Sequence, residues 1–308
     1  MRKSTFSNIN CDEWLSLGKI SFKTKVFYLL RNWVNNNWFP NNADNDLIIR
    51  NFVCDISDVD WNQLKIKSTP GRILSDLFWL KLPWKRVISE LTSINIFDTG
   101  CGPGHYGIKL QADSDSSISS YVGIDSHYYE NWDNLLLKYK NIRFYKLDST
   151  NIIDYIPRTT NLFITQSAIE HFDEDLHFFE QIRDFILMTS NNVIQIHLFP
   201  SSAQLKLGLF HGIRQYTLRT ISKITRIFND FSYSVLFGLG GNECNSLHWN
   251  FITKPRLARI GDLRETKTNE YNKRLINAIR NDMNKHQKYP TFYALVIHSN
   301  WKEKIFLP

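Results

Sequence analysis

The stretch Ile94-Asn95-Ile96-Phe97-Asp98-Thr99-Gly100-Cys101-Gly102-Pro103-Gly104-His105-Tyr106-Gly107-Ile108 decides how the chain is read. Ile94, Ile96 and Phe97 make a short apolar run of the kind a buried parallel strand shows, and it breaks at once into glycines. The unit reads as strand, Gly-rich turn, helix. Gly100, Gly102 and Gly104 remove side chains where the backbone must turn tightly and a ligand must approach within contact distance. A helix opening near Pro103 or His105 presents unpaired N–H groups. A cofactor is therefore expected here.

Two overlapping frames fit these glycines. Gly102, Gly104 and Gly107 satisfy Gly-x-Gly-x-x-Gly, and Asp125 lies at about the distance where a dinucleotide fold keeps its ribose-binding acid. The other frame is Asp98-x-Gly100-x-Gly102-x-Gly104, with an acid at the strand end just before the first glycine. A carboxylate there faces the ligand head-on. It suits a cationic or amino-bearing cofactor better than a pyrophosphate, whose charge it repels.

The second frame resembles motif I of the class I S-adenosylmethionine-dependent methyltransferases, and the resemblance continues downstream. Tyr121-Val122-Gly123-Ile124-Asp125 resembles the family's second strand, whose terminal acid binds the ribose hydroxyls. The run from Ile142 to Asp148 and Ser149 resembles the third strand, followed by the acid that meets the adenine amino group. The run from Asn161 through Gln166 to Glu170-His171-Phe172 resembles the fourth strand and the loop of a small residue, two apolar positions, Glu and His. The match covers roughly residues 90 to 200. It implies a Rossmann-like α/β sheet, mostly parallel with an antiparallel last strand, and S-adenosylmethionine as cofactor. Asp98, Gly100, Cys101, Gly102, Gly104, Asp125, Asp148, Ser149 and Gln166 are the residues it places around that cofactor. Cys101 reads as a small filler whose neighbouring N–H groups do the binding; nothing adjacent activates its thiol.

A length of 308 residues allows one large α/β domain with additions, here divided as a Trp-rich helical extension or lid (1–90), a cofactor core (91–200) and a substrate cap closing the sheet (201–308). With 43% hydrophobic and 22% charged residues, neither disorder nor a membrane-spanning chain fits. No run approaches the ~20 apolar residues of a transmembrane helix. Cys11, Cys54, Cys101 and Cys244 are scattered, so a reducing cytoplasm is the simplest setting, and no metal is assigned. In the extension, Lys25 to Trp33 reads as a helix, Asn35 to Asp44 as a turn cluster, and 72–80 and 84–91 as helices broken by Pro83. Trp14, Trp33, Trp38, Trp61, Trp79 and Trp84 cluster there, as core packing or as the walls of a sugar- or base-stacking cleft.

The centre alternates, with strands expected at 94–98, 121–125, 142–146, 161–166 and 192–198 and helices at about 104–111, 130–139 and 173–188. Beyond residue 200, Thr217 to Phe228 carries a helical apolar stripe suited to packing, a partner or an anionic membrane surface. Phe237 to Asn245 reads as a loop, His248 to Thr253 as a strand, 263–287 as a charged helix, and Phe292 to His298 as the closing antiparallel strand.

The resemblance implies methyl transfer, and an alcohol acceptor needs its proton removed by a positioned base or with a metal's help. His171 is the first candidate base, with Glu170 orienting it or touching the cofactor; His197 is a second candidate. Between Phe185 and Asn229 there is no acid, while Lys206, Arg214, Arg219, Lys223 and Arg226 fall in that stretch. With net charge +7, this is either a solvated helix face or a basic surface taking an anionic acceptor through His211 and Arg214. An aromatic N-terminal segment and a long C-terminal cap make the chain similar to methyltransferases of bacterial surface-polysaccharide pathways, a resemblance that implies a sugar or glycan-related hydroxyl as acceptor, with RNA as the alternative. An NAD(P)-dependent oxidoreductase or epimerase would use the overlapping glycine frame, but no Tyr has a Lys four residues later, the pair its common short-chain form requires.

Overall fold

The computed structural model describes residues 4–5, 21–64 and 67–307. Cys11 and Trp14 lie outside them. Eight strands, β1 (Leu47–Asn51), β2 (Ile94–Thr99), β3 (Ile118–Asp125), β4 (Ile142–Lys146), β5 (Leu162–Gln166), β6 (Val193–Pro200), β7 (Ser232–Leu239) and β8 (Phe292–Ser299), form one sheet ordered β1-β7-β8-β6-β5-β2-β3-β4. Every pairing is parallel except those of β8, which runs antiparallel between β6 and β7. Strands β2 to β8 in this order, with the last one reversed, are the α/β Rossmann-like methyltransferase sheet. β1 adds an eighth strand at its edge.

Both faces of a parallel sheet must be covered, so its strands carry apolar side chains on both sides. Ile94 and Ile96 of β2 enter one core with Leu74, Leu77, Trp79 and Leu275. Phe97, one residue beyond Ile96 and so on the opposite face, enters the other with Phe179, Ile182, Ile221 and Ile224. The order reverses direction at β2, whose neighbours are β3 on one side and β5 on the other. At such a switch point the crossovers leave to opposite faces and a crevice opens beyond the strand ends.

The structure corrects several expectations. Segment 70–91 is no lid: Ile73, Leu74, Leu77, Trp79 and Val87 lie in the main core, whereas Trp33 and Trp38 are exposed. Asn35 to Trp38 does not turn but continues the helix Phe22–Trp33 as a π-helical segment, Val34–Trp38. Phe237 to Leu239 belongs to β7, bonded on one side to β1 and on the other to β8, so the loop shrinks to Gly240 and Gly241. His248 to Thr253 is helical: Asn242–His248 runs into the π-helix Trp249–Thr253. There the Asp282 carboxylate accepts the N–H groups of Glu243 and Cys244, satisfying the helix N-terminus. Cys244, Leu247, Phe251 and Ile252 then fall on one buried face.

The stripe of 217–228 is core packing. Helix Leu218–Thr225 buries Ile221 and Ile224, and Phe228 beyond it is equally enclosed. Among the described residues no helix is long and apolar enough to cross a membrane.

Candidate active site

The turn after β2 is held from inside. Gly100, Gly102 and Gly104 have φ of +75°, +53° and +80°, a region that side chains with a Cβ rarely adopt. A Cβ on Gly100 would lie 2.5 Å from Ala168 Cβ, and one on Gly104 2.5 Å from Phe144 Cζ. The N–H groups of Gly100 and Cys101 donate to Ile124 O at 2.8 and 3.0 Å, and that of Gly104 donates to Cys101 O at 3.1 Å. Those amides are spent on shaping the turn, which corrects the expectation that N–H groups around Cys101 bind a ligand. Burial pushes the Cys101 thiol far up, so it is an inert filler.

Asp98 sits at the floor of this turn, fully buried. Tyr121 OH donates to its Oδ2, while its Oδ1 has no hydrogen-bond partner among the described residues. Burial raises the carboxyl to about 7; the Tyr121 bond opposes that rise and the charge of Asp125 adds to it. Asp125, ending β3, accepts Gly102 N–H on Oδ2 and His127 N–H on Oδ1, both at 3.0 Å. Asp148 is exposed beyond β4, with Oδ1 accepting from the N–H and hydroxyl of Thr150, and the Ser149 carbonyl accepts from Gln181. Gln166 Oε1 accepts from Trp79 Nε1 at 2.9 Å.

The loop after β5 meets the glycine turn at Ala168 and carries Glu170 and His171 on a 3-10 turn, Ile169–His171. Glu170 is fully buried, and Ser167 Oγ donates to its Oε1 at 2.8 Å. The same oxygen lies 3.5 Å from His211 Nε2 and 3.9 Å from His171 Nε2, and the two imidazoles stand edge to face with centroids 5.0 Å apart. Burial would raise the Glu170 carboxyl, but the hydrogen bond from His211 and the charges of both histidines hold it below its ordinary value.

Two candidates leave the site. His197 lies three residues inside the end of β6, turned into the core against the Phe178 and Phe179 rings. Its Nδ1 is 3.0 Å from Thr165 Oγ1, and burial lowers its pKa to about 3, so it is a neutral core residue and no base. Arg214 is equally enclosed. Its guanidinium donates to the carbonyls of Ile169, Phe172 and Asp173 and lies 3.6 Å from Asp175. It binds the loop carrying Glu170 and His171 in place, with no charge left for an acceptor.

Three of the other four cations of the acid-free stretch are also engaged: Arg219 donates to Asn35, Lys223 to Thr5 O, and Arg226 pairs with Asp44, while Lys206 is exposed. Partners from distant segments tie Arg214, Arg219, Lys223 and Arg226 into the scaffold, which leaves Lys206 and the half-exposed His211 as the accessible basic side chains of the stretch.

A cavity of about 480 Å³ opens beside the β5 end, lined by Gln166, Ser167 and His211 together with Arg72, His248 and Arg256. No Asp or Glu is among its described lining residues. Arg72 Nη1 donates to Tyr106 OH at 2.7 Å, and Tyr106 OH donates in turn to Asp76. Sequence reasoning missed Tyr121 as the partner of Asp98 and missed Arg72, Arg256 and Ser167 as walls. Tyr121 and Ser167 lie inside the quoted motif stretches, at positions that carry no role there, whereas Arg72 and Arg256 carry no motif and are brought in only by the packing of helix Pro70–Leu80 and of segment 254–257 against the strand ends.

No family profile and no curated protein matches the sequence. Solved structures similar to this chain include the plantazolicin methyltransferase BamL in complex with a triazolic desmethylPZN analogue and SAH, at 13% identity over 76% of this chain and 98% of that one, with a TM-score of 0.43. The plantazolicin methyltransferase BpumL in complex with a monoazolic desmethylPZN analogue and SAH has 14% identity over 79% and 88%, with a TM-score of 0.43. A SAM dependent methyltransferase from Archaeoglobus fulgidus has 13% identity over 79% and 100%, with a TM-score of 0.44. The strand order itself defines the fold.

Proposed function

We propose that this chain is an S-adenosylmethionine-dependent methyltransferase acting on a hydroxyl of a sugar or glycan-related acceptor held in the cavity beside β5. The observation that carries the reading is Asp98, a fully buried carboxylate at a strand end beneath the turn of Gly100, Gly102 and Gly104, with an Oδ1 that lacks a partner among the described residues. A buried acceptor without a donor is costly unless a ligand supplies one. An ammonium group fits that need, and a pyrophosphate is repelled by it. The cofactor, when bound, supplies an electrophilic methyl group.

In this reading Asp98 receives the cofactor's amino group and Asp125 its ribose hydroxyls, while Gln166 and Ser167 stand between the cofactor turn and the acceptor cavity. The acceptor hydroxyl must be held close to the methyl group and relieved of its proton. His171 is the group assigned to take that proton, with Glu170 fixing its orientation. The cavity has the size of an ordinary small-molecule site. With Arg72 and Arg256 on its walls, the latter paired with Asp262 at 2.7 Å, and no acid among its described lining residues, it favours a neutral or anionic acceptor such as a sugar phosphate over a cationic one.

The test is a methyl-transfer assay over a panel of sugar phosphates, nucleotide sugars and RNA, run on the natural chain and on His171→Gln. Turnover of a sugar acceptor is expected to fall roughly 10²- to 10⁴-fold in the variant while S-adenosylhomocysteine affinity is kept. Methylation of RNA alone would move the acceptor to the other class, and unchanged turnover would remove His171.

A further inference from the structure

We propose that Glu170, His171 and His211 bind one divalent transition-metal cation at the mouth of the acceptor cavity. A carboxylate oxygen and a ring nitrogen from each histidine lie within 4.8 Å of one another. In a tetrahedral zinc site, bonds of about 2.0–2.1 Å place ligand atoms roughly 3.3 Å apart. The observed 3.5 and 3.9 Å from Glu170 Oε1 to the two imidazoles need only small side-chain rotations to reach that geometry. The imidazoles have the room to make them, with side chains 34% and 41% exposed for His171 and His211.

The surroundings are those of a prepared site. Glu170 Oε2 is buried and has no hydrogen-bond partner among the described residues, whereas Oε1 is oriented by Ser167 Oγ. A ligand carboxylate held by a hydroxyl is the usual arrangement around a bound ion. The backbone of the His211 segment is pinned to the Glu170 segment, because Ile213 N–H donates to Glu170 O at 2.8 Å. Tyr28 OH donates to the carbonyls of His211 and Gly212 at 3.1 and 2.9 Å. Gly212, at φ +70°, allows the close approach: a Cβ there would come within 3.0 Å of Glu170 Cγ. Two imidazoles with one carboxylate suit zinc, manganese, cobalt or ferrous iron, whereas magnesium and calcium prefer all-oxygen sets.

Three protein ligands leave a coordination position open, as catalytic sites do and structural ones do not. Of the three ligands His211 lines the cavity, as does Ser167, which bonds Glu170, so the cluster adjoins the acceptor space. A cation there lowers the pKa of a coordinated hydroxyl or water. In the loaded protein His171 then serves as a ligand, and polarisation of the acceptor hydroxyl passes to the ion. This consequence rests on the methyl-transfer reading; the metal site itself does not.

The test uses the untagged full chain after dialysis against EDTA, titrated with Zn²⁺ and Mn²⁺ by calorimetry and with Co²⁺ by visible absorption. The expected result is one ion per chain with a cobalt d–d band, and at least roughly tenfold weaker binding in both His211→Ala and Glu170→Gln. His211→Ala removes a half-exposed side chain and keeps the fold, which circular dichroism checks, so the test does not depend on the buried Glu170 variant. No binding, or binding of equal strength in His211→Ala, overturns the proposal. Parallel titration with S-adenosylhomocysteine reads the cofactor site separately, so either assignment can fail alone.

Discussion

Asp98→Asn is expected to weaken S-adenosylmethionine and S-adenosylhomocysteine binding by at least roughly a hundredfold, and at the same time to stabilise the ligand-free protein at pH 8. Both follow from one buried carboxylate. The variant keeps the shape and can still accept from Tyr121 OH, but it leaves the ligand's ammonium group buried without a counter-charge. Removing one partner of such a pair costs about 3–5 kcal/mol, and each 1.4 kcal/mol is tenfold in affinity.

The stability effect has the opposite sign. With the folded-state pKa raised from 3.8 to about 7, the fold prefers the protonated carboxyl. Below about pH 4 both folded and unfolded chains carry it protonated, and no cost arises. As pH rises towards and through 7 the folded chain must either hold a proton or ionise a buried group, and stability is lost. The full cost above pH 7 is on the order of 4 kcal/mol. Urea denaturation should therefore show Asp98→Asn gaining over the natural chain progressively from pH 5 to pH 8; a variant less stable at pH 8 contradicts this account. Cofactor affinity of the natural chain should rise about tenfold per pH unit below 7 and level off above it, with a proton released on binding at the lower pH.

Arg214→Ala is expected to destabilise the fold by about 3–5 kcal/mol, the penalty for removing one partner of a buried ion pair. The substitution strips Asp175 of its cation and leaves the carbonyls of Phe172 and Asp173 without their donor in an enclosed site. Since those carbonyls belong to the loop that carries Glu170 and His171, turnover should fall along with stability. Arg226→Ala provides the contrast. Its partner Asp44 is equally well aligned, but the arginine side chain is 62% exposed, and such a pair contributes at most about 1 kcal/mol. Denaturant midpoints of the two variants measure the difference directly; equal losses would contradict the assignment of Arg214 to the scaffold.

The parts of this molecule that could be read from the chain are those whose physics is local. The β2 strand, its glycine turn and the acids at 98 and 125 lie within a short span, and strand period plus backbone freedom fix their relation. The last antiparallel strand was equally open to reading, because Phe292 to His298 is an unbroken apolar and aromatic run. What failed depends on distant partners. β1 and β7 are strands because they pair with each other across more than 180 residues. His197 stands near a strand end in the sequence, but the strand runs on to Pro200 and period two turns the ring inward. The acid-free stretch looked like a charged surface until Asp44 and Asp175 arrived from elsewhere in the chain. Glu170 and His171 announced themselves as neighbours in a motif; that His211 would meet them followed only from the turn at Gly212.

The measurement that bears most directly on the central claim is calorimetric titration of the purified protein with S-adenosylmethionine, S-adenosylhomocysteine and NAD in parallel. Asp98 and the glycine turn above it predict saturable binding of the first two and none of NAD. Binding of NAD alone would contradict the methyltransferase reading.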